Sequence, residues 1–410
     1  MTKRSNALVV LLIREDLMKK TIKDINVVGK RVLVRVDFNV PLDNGVVVDD
    51  TRIRAALGTI SYLRQAGSKV ILISHLGRPK DGPDDALRMD PVAARLADLL
   101  GIEVMKLDDC VGPEVEARLA ELPAGGVALL ENSRFHPEEK KNDPEFAAGL
   151  ARLADVFVND AFGTAHRAHA STTGVAALLP AVAGFLLENE LLQLSHMIDK
   201  PKHPFVTILG GVKVSDKIGV VDRFLDFADA IMIGGAMCFG FLKAQGIDIG
   251  ASKVEAEAVG VAAAALEKAK SSKCRILLPK DLVVADAFSA EANTQIVRVE
   301  QIPAGWMGLD VGPATSAHFV QEIQRARTIF WNGPMGAFEM EPFSSGTRAV
   351  AGAVAHAEEA LTVSGGGDTV AALNRYGLAD NLDHVSTGGG AAMEFLEGKD
   401  LPGIAVLQDA

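Results

Sequence analysis

Cysteine, positive charge and long apolar runs are all scarce in this sequence. Its three cysteines, Cys110, Cys238 and Cys274, lie far apart and form no C-x-x-C pair. They support neither a disulfide framework nor a cysteine-held metal cluster, and they suit a reducing, cytoplasmic setting. Lysine and arginine number 42 against 53 acidic residues, a formal net charge of −11 that argues against a general affinity for nucleic acid or anionic membrane. No apolar run approaches the ~20 residues needed to cross a bilayer. Several enzyme signatures are missing as well. There is no G-x-x-x-x-G-K-[ST] P-loop, and neither glycine triplet continues as G-x-G-x-x-G. The H-R-D and D-F-G signatures of protein kinases are absent, although Asp37-Phe38-Asn39 looks similar to the second, and no G-x-S-x-G elbow occurs. Nothing in the sequence points to covalent catalysis.

What is present is ordinary globular material. Hydrophobic residues make up 48% and charged residues 23% of 410 residues, which excludes a mostly disordered chain. At about 150 residues per domain the length predicts two to three domains. Lys3 and Arg4 precede the short apolar stretch 7–13, but Arg14-Glu15-Asp16 follows at once without a small-x-small cleavage site. Residues 1–17 are read as an N-terminal extension outside the fold, with Met18 opening the first structured segment.

Short β-branched runs alternate with helix-period segments along nearly the whole chain. Strands are expected at 31–38, 69–74, 126–131 and 154–160, then at 204–211, 228–235, 274–279, 327–333 and 361–367. Helices are expected at 52–65, at 90–100 with Asp90 as cap and Pro91 first in the helix, and at 255–270. Such alternation reads as βαβ units and parallel sheets. Residues 184–199 have apolar positions at helical spacing and are followed by two prolines in KPKHP. The expected fold is therefore α/β with two lobes, each a mostly parallel sheet flanked by helices, joined by a long linking helix and hinge. The boundaries are 18–185 for the first lobe, 186–203 for the link, 204–385 for the second lobe and 386–410 for a hinge loop and tail. One large doubly wound domain is the alternative.

Parallel sheets bind ligands beyond the carboxyl ends of their strands. In the first lobe those ends are rich in cations: RVDFNVP with Arg35, Asp37 and Asn39, ISHLGRP with His75 and Arg78, ENSRFHP with Arg134 and His136, and NDAFGTAHRAH with His166, Arg167 and His169. Arg52 follows just after a DNG turn. Any one of these is ordinarily a solvated loop cation. Their recurrence after four strands, against a net charge of the opposite sign, indicates a small polyanionic ligand, because guanidinium forks match carboxylate and phosphate oxygens. A histidine metal site is the rival reading; the spacing lacks a zinc pattern and the surrounding arginines would repel a cation.

The second lobe has glycine-rich strand ends instead: LGGVKVSDK, IGGAM, WNGPMG, SGGGDT and STGGGA. Glycine admits a close approach of backbone to ligand, and the free N–H groups of a following helix favour phosphate. Lys213 and Lys217 stand four residues apart near a helix start that Ser215 could cap, and Asp368 offers the single hard oxygen by which Mg²⁺ is held beside substrate phosphates. This is a nucleotide lobe by composition.

These eight motifs, in this order and spacing, resemble the phosphoglycerate kinase family from about Met18 to the C-terminus. The resemblance implies a two-lobed, monomeric glycolytic enzyme that moves a phosphoryl group reversibly between 1,3-bisphosphoglycerate and ADP, giving 3-phosphoglycerate and Mg·ATP. Carried over by position, it implies a glycerate site of Asp37, Asn39, Arg52, His75, Arg78, Arg134 and Arg167, with Arg52 at the reacting carboxyl. It likewise implies that Lys213 follows the moving phosphoryl, that Lys217 binds nucleotide phosphates and that Glu339 binds the ribose. Gly366, Gly367, Asp368 and Thr369 would form the phosphate loop, Asp368 holding magnesium, with Gly234, Gly235, Leu309 and Pro334 lining the adenosine cleft. Arg52, Lys213 and Gly367 would act at the transfer point. Val212 and Ala236 depart from the family pattern, standing where smaller residues are usual.

The chemistry is consistent with the missing general base: phosphoryl transfer depends on positioning and charge stabilisation, and the accepting carboxylate is already ionised at neutral pH. Asp37 either orients the ligand or bonds a neighbouring arginine. One ligand per lobe implies a hinge, at the ends of helix 184–199 and at STGGGA, and the resemblance implies that the tail after Glu394 returns to the first lobe. Two other readings are kept for comparison: a catalytically inactive anion- or nucleotide-binding protein on the same scaffold, and an NAD-dependent dehydrogenase, for which the dinucleotide glycine pattern is missing.

Overall fold

Val32, Leu33, Val34 and Val36 are all fully buried, as expected of a strand covered on both faces rather than one. They belong to β1 (Arg31–Val36), the centre of a six-stranded parallel sheet whose other strands are β2 (Lys69–Ile73), β3 (Val104–Lys106), β4 (Val127–Leu129), β5 (Val156–Asp160) and β6 (Ala181–Ala183). The spatial order is β3-β4-β2-β1-β5-β6. Val34 lies opposite Leu72 on one side and Val158 on the other. The computed structural model describes residues 19–80, 82–212 and 217–410.

Helix Thr51–Gln65 covers this sheet with Ile53, Ala56, Ile60 and Leu63, spaced three or four residues apart so that they share one face. Helix Asp90–Leu100 does the same with Val92, Ala93 and Leu96. Its cap position is Met89; Asp90, the expected cap, is already in the first turn, where its charge suits the helix dipole. Asp400–Ala410 also belongs to this unit. Gly403 donates to Ala165 O at 2.8 Å and accepts from Asn159 Nδ2 at 2.8 Å, while Gln408 donates to Ala181 O at 3.0 Å.

The second compact unit is His196–Lys399, so the division falls inside the long helix Phe185–Asp199. Its main sheet is again parallel and six-stranded: β7 (Phe205–Leu209), β8 (Ala230–Ile233), β9 (Arg275–Leu277), β13 (Thr328–Asn332), β14 (Leu361–Gly365) and β15 (His384–Ser386), in the order β9-β8-β7-β13-β14-β15. A separate antiparallel sheet, β11-β10-β12, is made of β10 (Asp281–Ala285), β11 (Thr294–Arg298) and β12 (Met307–Val311).

Residues 386–399, grouped with the tail on sequence grounds, stay with this unit. β15 pairs with β14, and helix Gly390–Glu397 buries Ala391, Ala392, Phe395 and Leu396. Among the described residues no helix is long and apolar enough to cross a membrane.

Candidate active site

In the first unit, the strand order explains why distant cations converge. β4, β2, β1 and β5 are consecutive neighbours and all run the same way, so the segments after them leave the sheet side by side. Asp37 and Asn39 follow β1, His75 and Arg78 follow β2, Arg134 follows β4, and Arg167 follows β5.

Polar bonds tie these segments together. Arg52 Nη1 is 3.1 Å from Asp37 Oδ2 and donates to Asn39 O at 3.0 Å. Asn39 Oδ1 accepts the Gly77 N–H at 2.8 Å, and Arg134 Nη1 donates to Gly77 O at 2.6 Å. Arg167 Nε donates to His166 Nε2 at 3.0 Å. Arg78, next to Gly77, is exposed and makes no ion pair among the described residues.

The cluster carries more positive than negative charge, with Arg35, Arg52, Arg134 and Arg167 set against Asp37 and Glu139. Burial, reinforced by Arg167 and Arg35, pushes the Arg134 guanidinium down to about 10. Its Nε is buried and has no partner among the described residues. Burial and the same arginines hold His169 down to about 4 and His75 well below the usual imidazole range, so both rings are neutral at physiological pH. A dianionic ligand would supply the missing partner and the missing negative charge together.

His136 does not join this cluster. It bonds Asp109 Oδ1 at 2.6 Å and stacks on Phe146 with ring centroids 4.7 Å apart. Asp109, Cys110 and His136 bring their ligand atoms within 4.8 Å of one another. The Cys110 thiol, however, is fully buried and donates to Glu131 O at 2.9 Å. A metal there would have to displace both existing bonds.

In the second unit the same logic places β7, β13, β14 and β15 side by side, and their following glycines open a cavity of about 830 Å³. Lys217, Gly366, Gly367, Asp368 and Thr369 all line it. Gly366 has φ +95°, and a Cβ there would come within 2.7 Å of Asn332 Nδ2, so this turn requires glycine. It leads directly into helix Gly367–Arg375, whose first-turn N–H groups have no intrahelical partner.

Thr369 is buried and accepts the Gly333 N–H at 2.7 Å, locking the loop after β14 to the loop after β13. Lys217 Nζ donates to Gly210 O at 2.5 Å and Asn332 O at 3.2 Å. Asp368 is exposed on the cavity wall and makes no hydrogen bond or ion pair among the described residues. A hard carboxylate with vacant lone pairs beside the unpaired N–H groups of a helix start fits a magnesium ion that keeps most of its water.

Pro334, Gly234 and Gly235 form a neighbouring turn. Pro334 O accepts the Gly211 N–H at 3.0 Å, Gly235 N donates to Met335 O at 3.0 Å, and a Cβ on Gly235 would lie 2.5 Å from Gly211 N. Leu309, half-buried in β12, takes the Ala337 N–H on its carbonyl at 2.8 Å. Glu339 is exposed, its carbonyl held by Arg375 at 3.0 Å. None of these five lines the 830 Å³ cavity. Lys213 and Ser215 lie outside the described residues. Of the two departures from the family pattern, Val212 is half-exposed on the cavity wall.

Comparison with known proteins decides the family. The family model described as phosphoglycerate kinase matches residues 22–399. The chain belongs to the phosphoglycerate kinase family. Phosphoglycerate kinase of Chloroflexus aggregans is 57% identical over 397 residues, covering 96% of this chain and 99% of the relative. That of Rubrobacter xylanophilus is 58% identical over 391 residues, covering 95% and 98%. Among solved structures, phosphoglycerate kinase from Coxiella burnetii superposes with a TM-score of 0.84 at 42% identity, covering 95% of this chain and 98% of that one. Like these relatives, the chain is a phosphotransferase with a carboxyl group as acceptor.

The sequence reading missed some of the cavity wall. Glu394, Glu397 and Lys399 lie on it, contributed by helix Gly390–Glu397 and its exit. The glycine triplet of STGGGA was the available signal, since Gly389 sits at the cap of that helix.

Proposed function

We propose that the first unit binds 3-phosphoglycerate or 1,3-bisphosphoglycerate through Asp37, Asn39, Arg52, His75, Arg78, Arg134 and Arg167. The second unit binds Mg·ATP or Mg·ADP in the glycine-lined cavity. Transfer is in line, and the protein contributes orientation and charge rather than a covalent intermediate. The observation that carries the reading is Arg134: a half-buried guanidinium whose Nε is itself buried and unbonded among the described residues, beside Arg167 and Arg35. An anion bound there would take up the unused donor and offset the crowding of positive charge.

The roles are those the family resemblance implies for each position. Arg134, Arg167 and Arg78 hold the phosphate that is not transferred, and Arg52, oriented by Asp37, faces the reacting carboxyl. Lys217, the Gly366–Gly367 backbone and the first turn of helix Gly367–Arg375 receive nucleotide phosphates. Leu309, Pro334, Gly234 and Gly235 line the adenosine cleft, and Glu339 takes the ribose. Asp368 would hold the magnesium ion, whose contribution when bound is to neutralise phosphate charge. Lys213 and Gly367 complete the transfer point by resemblance. Because each substrate has its own unit, closure through the helix Phe185–Asp199 is part of the proposal, and it serves to exclude water from the acyl phosphate. Three free thiols support a reducing, cytoplasmic setting, and the family resemblance implies a monomer. The inactive-scaffold alternative requires loss of charge at the transfer point, whereas Arg52 and Asp368 are both in place.

Calorimetric titration tests the assignment of units. Arg134→Ala is expected to weaken 3-phosphoglycerate binding by about tenfold or more while leaving ATP affinity unchanged. Unchanged 3-phosphoglycerate affinity in the folded variant would remove the first unit's basic cluster from the binding site.

A further inference from the structure

Beneath the basic cluster, buried polar groups outside the proposed binding set form a chain that leads to His75. It begins at Glu139, which has no exposed surface although it sits in the polar stretch PEEKK of the short helix Pro137–Lys141. Its carboxylate accepts from Ser171 N at 2.9 Å and from Ser171 Oγ at 2.5 Å. Ser171 has a single hydroxyl proton, and Glu139 takes it. The hydroxyl oxygen is left to accept, which it does from Arg35 Nε at 2.9 Å.

Arg35 is 1% exposed, and its remaining donors are directed inward. Nη1 is bonded to Val36 O, and Nη2 meets His75 Nδ1 at 3.1 Å. A guanidinium donates and never accepts. The direction of every bond from Glu139 to His75 is therefore forced. His75 Nδ1 must be bare, and the one proton of the neutral ring must reside on Nε2.

The opposite tautomer has a carboxylate nearby. Asp37 Oδ1 is 4.0 Å from the same Nδ1, beyond hydrogen-bond length, and a small side-chain movement would let it accept a proton placed there. The two tautomers differ in what the other ring nitrogen offers an anion: a donor N–H in one case, a repelling lone pair in the other. Burial and the arginines 35, 134, 167 and 52 keep the ring neutral, so the choice between tautomers is not removed by double protonation.

We propose that Glu139, acting through Ser171 and Arg35, is a positioning residue that fixes His75 in its Nε2–H tautomer and so makes the ring a neutral hydrogen-bond donor to the phosphoglycerate anion. This rests on the assignment of the basic cluster as the phosphoglycerate site. It adds to that assignment a reason why a buried carboxylate is retained under an anion-binding surface: it orders Arg35 without reaching the ligand itself.

The test is long-range ¹H–¹⁵N correlation on the full chain carrying ¹⁵N-labelled histidine, with His75 identified by the signal lost in His75→Gln. The expected result in the parent is a bare Nδ1 and a protonated Nε2, both shifting when 3-phosphoglycerate is added. In Ser171→Ala and Glu139→Gln the His75 signals should move toward a mixture of tautomers. The KM for phosphoglycerate should rise about tenfold in these variants while the KM for ATP stays the same. A protonated Nδ1 in the parent overturns the proposal without any variant having to fold, and so does an unchanged tautomer in folded Ser171→Ala. A His75 signal that ignores 3-phosphoglycerate overturns the site assignment instead, which separates the two failures.

Discussion

Arg52 Nη1 lies 3.1 Å from a carboxylate oxygen of Asp37, and the pair is only partly exposed. The contact holds a long side chain in one direction while leaving the rest of its guanidinium fork open. Asp37 therefore does bond a neighbouring arginine, and in doing so aims the group proposed to meet the reacting carboxyl.

Removing that group should affect the chemical step far more than binding. Arg52→Ala is expected to lower kcat by about 10²–10⁴ with nucleotide affinity retained. A coupled assay of ATP- and Mg²⁺-dependent 3-phosphoglycerate phosphorylation, beside calorimetric ATP binding, checks both halves. A kcat within threefold of the parent would take Arg52 out of the transfer point.

Asp368 makes no bond that its loss would break. Asp368→Asn should lower the thermal midpoint only slightly, since an exposed charge in the first turn of a helix contributes about 0.3–1 kcal/mol. The magnesium concentration needed for half-maximal rate should rise at least tenfold. Equal magnesium dependence in parent and variant would assign the ion to other ligands.

Thr369 behaves in the opposite way. Its hydroxyl oxygen is the acceptor for the buried Gly333 N–H at 2.7 Å. Thr369→Val keeps the shape but strands that donor, at a cost of about 1–3 kcal/mol, whereas Thr369→Ser should recover most of it. Urea midpoints of the three proteins distinguish a lost hydrogen bond from lost packing.

His169 links folding to pH. Its folded value of about 4 lies below the ordinary 6.5, mainly because the ring is buried and then because of the nearby arginines. Between those values the unfolded chain binds a proton that the folded chain refuses. The stability it supplies is complete above pH 6.5 and is lost as pH falls toward 4. Asp160, raised to about 6, and Asp310, raised to about 7, are buried carboxyls with the reverse sign, losing stability as pH rises through those values. The histidine's share is therefore read from the difference between parent and His169→Gln across pH 4–7. The parent's advantage should shrink on acidification, and a flat difference would place the ring's folded value near that of a free imidazole.

Much of this architecture is legible from the chain. Apolar runs such as KVILI and FVTIL mark nine of the twelve strands of the two parallel sheets, and the chemistry stands at their ends; the three-residue strands Val104–Lys106, Ala181–Ala183 and His384–Ser386 are too short to leave such a run. The sheet β11-β10-β12 is not legible, because β11 is exposed along nearly its whole length and shows no alternation of apolar and polar residues. Glu139 is hidden for the opposite reason. Flanked by Glu138 and Lys140 in a polar helix, it reads as solvated, and only the approach of Ser171 from a segment 32 residues away buries it. The lock between Thr369 and Gly333 likewise depends on β13 and β14 being neighbours, which no local pattern encodes.

The return of Asp400–Ala410 to the first unit sets an order of events during synthesis. Leu401, Ile404 and Leu407 are buried there, and Lys20 N bonds Gln408 O at 2.9 Å. Those partners leave the ribosome only after His196–Lys399 has been made, a wait of roughly 10–40 s at ordinary translation rates. Throughout that interval the nascent first unit exposes the apolar surface and the Ala165 and Ala181 carbonyls that the last eleven residues will cover. The unit translated first is thus the one completed last, and a ribosome stalled near codon 400 would display it with its final segment still missing.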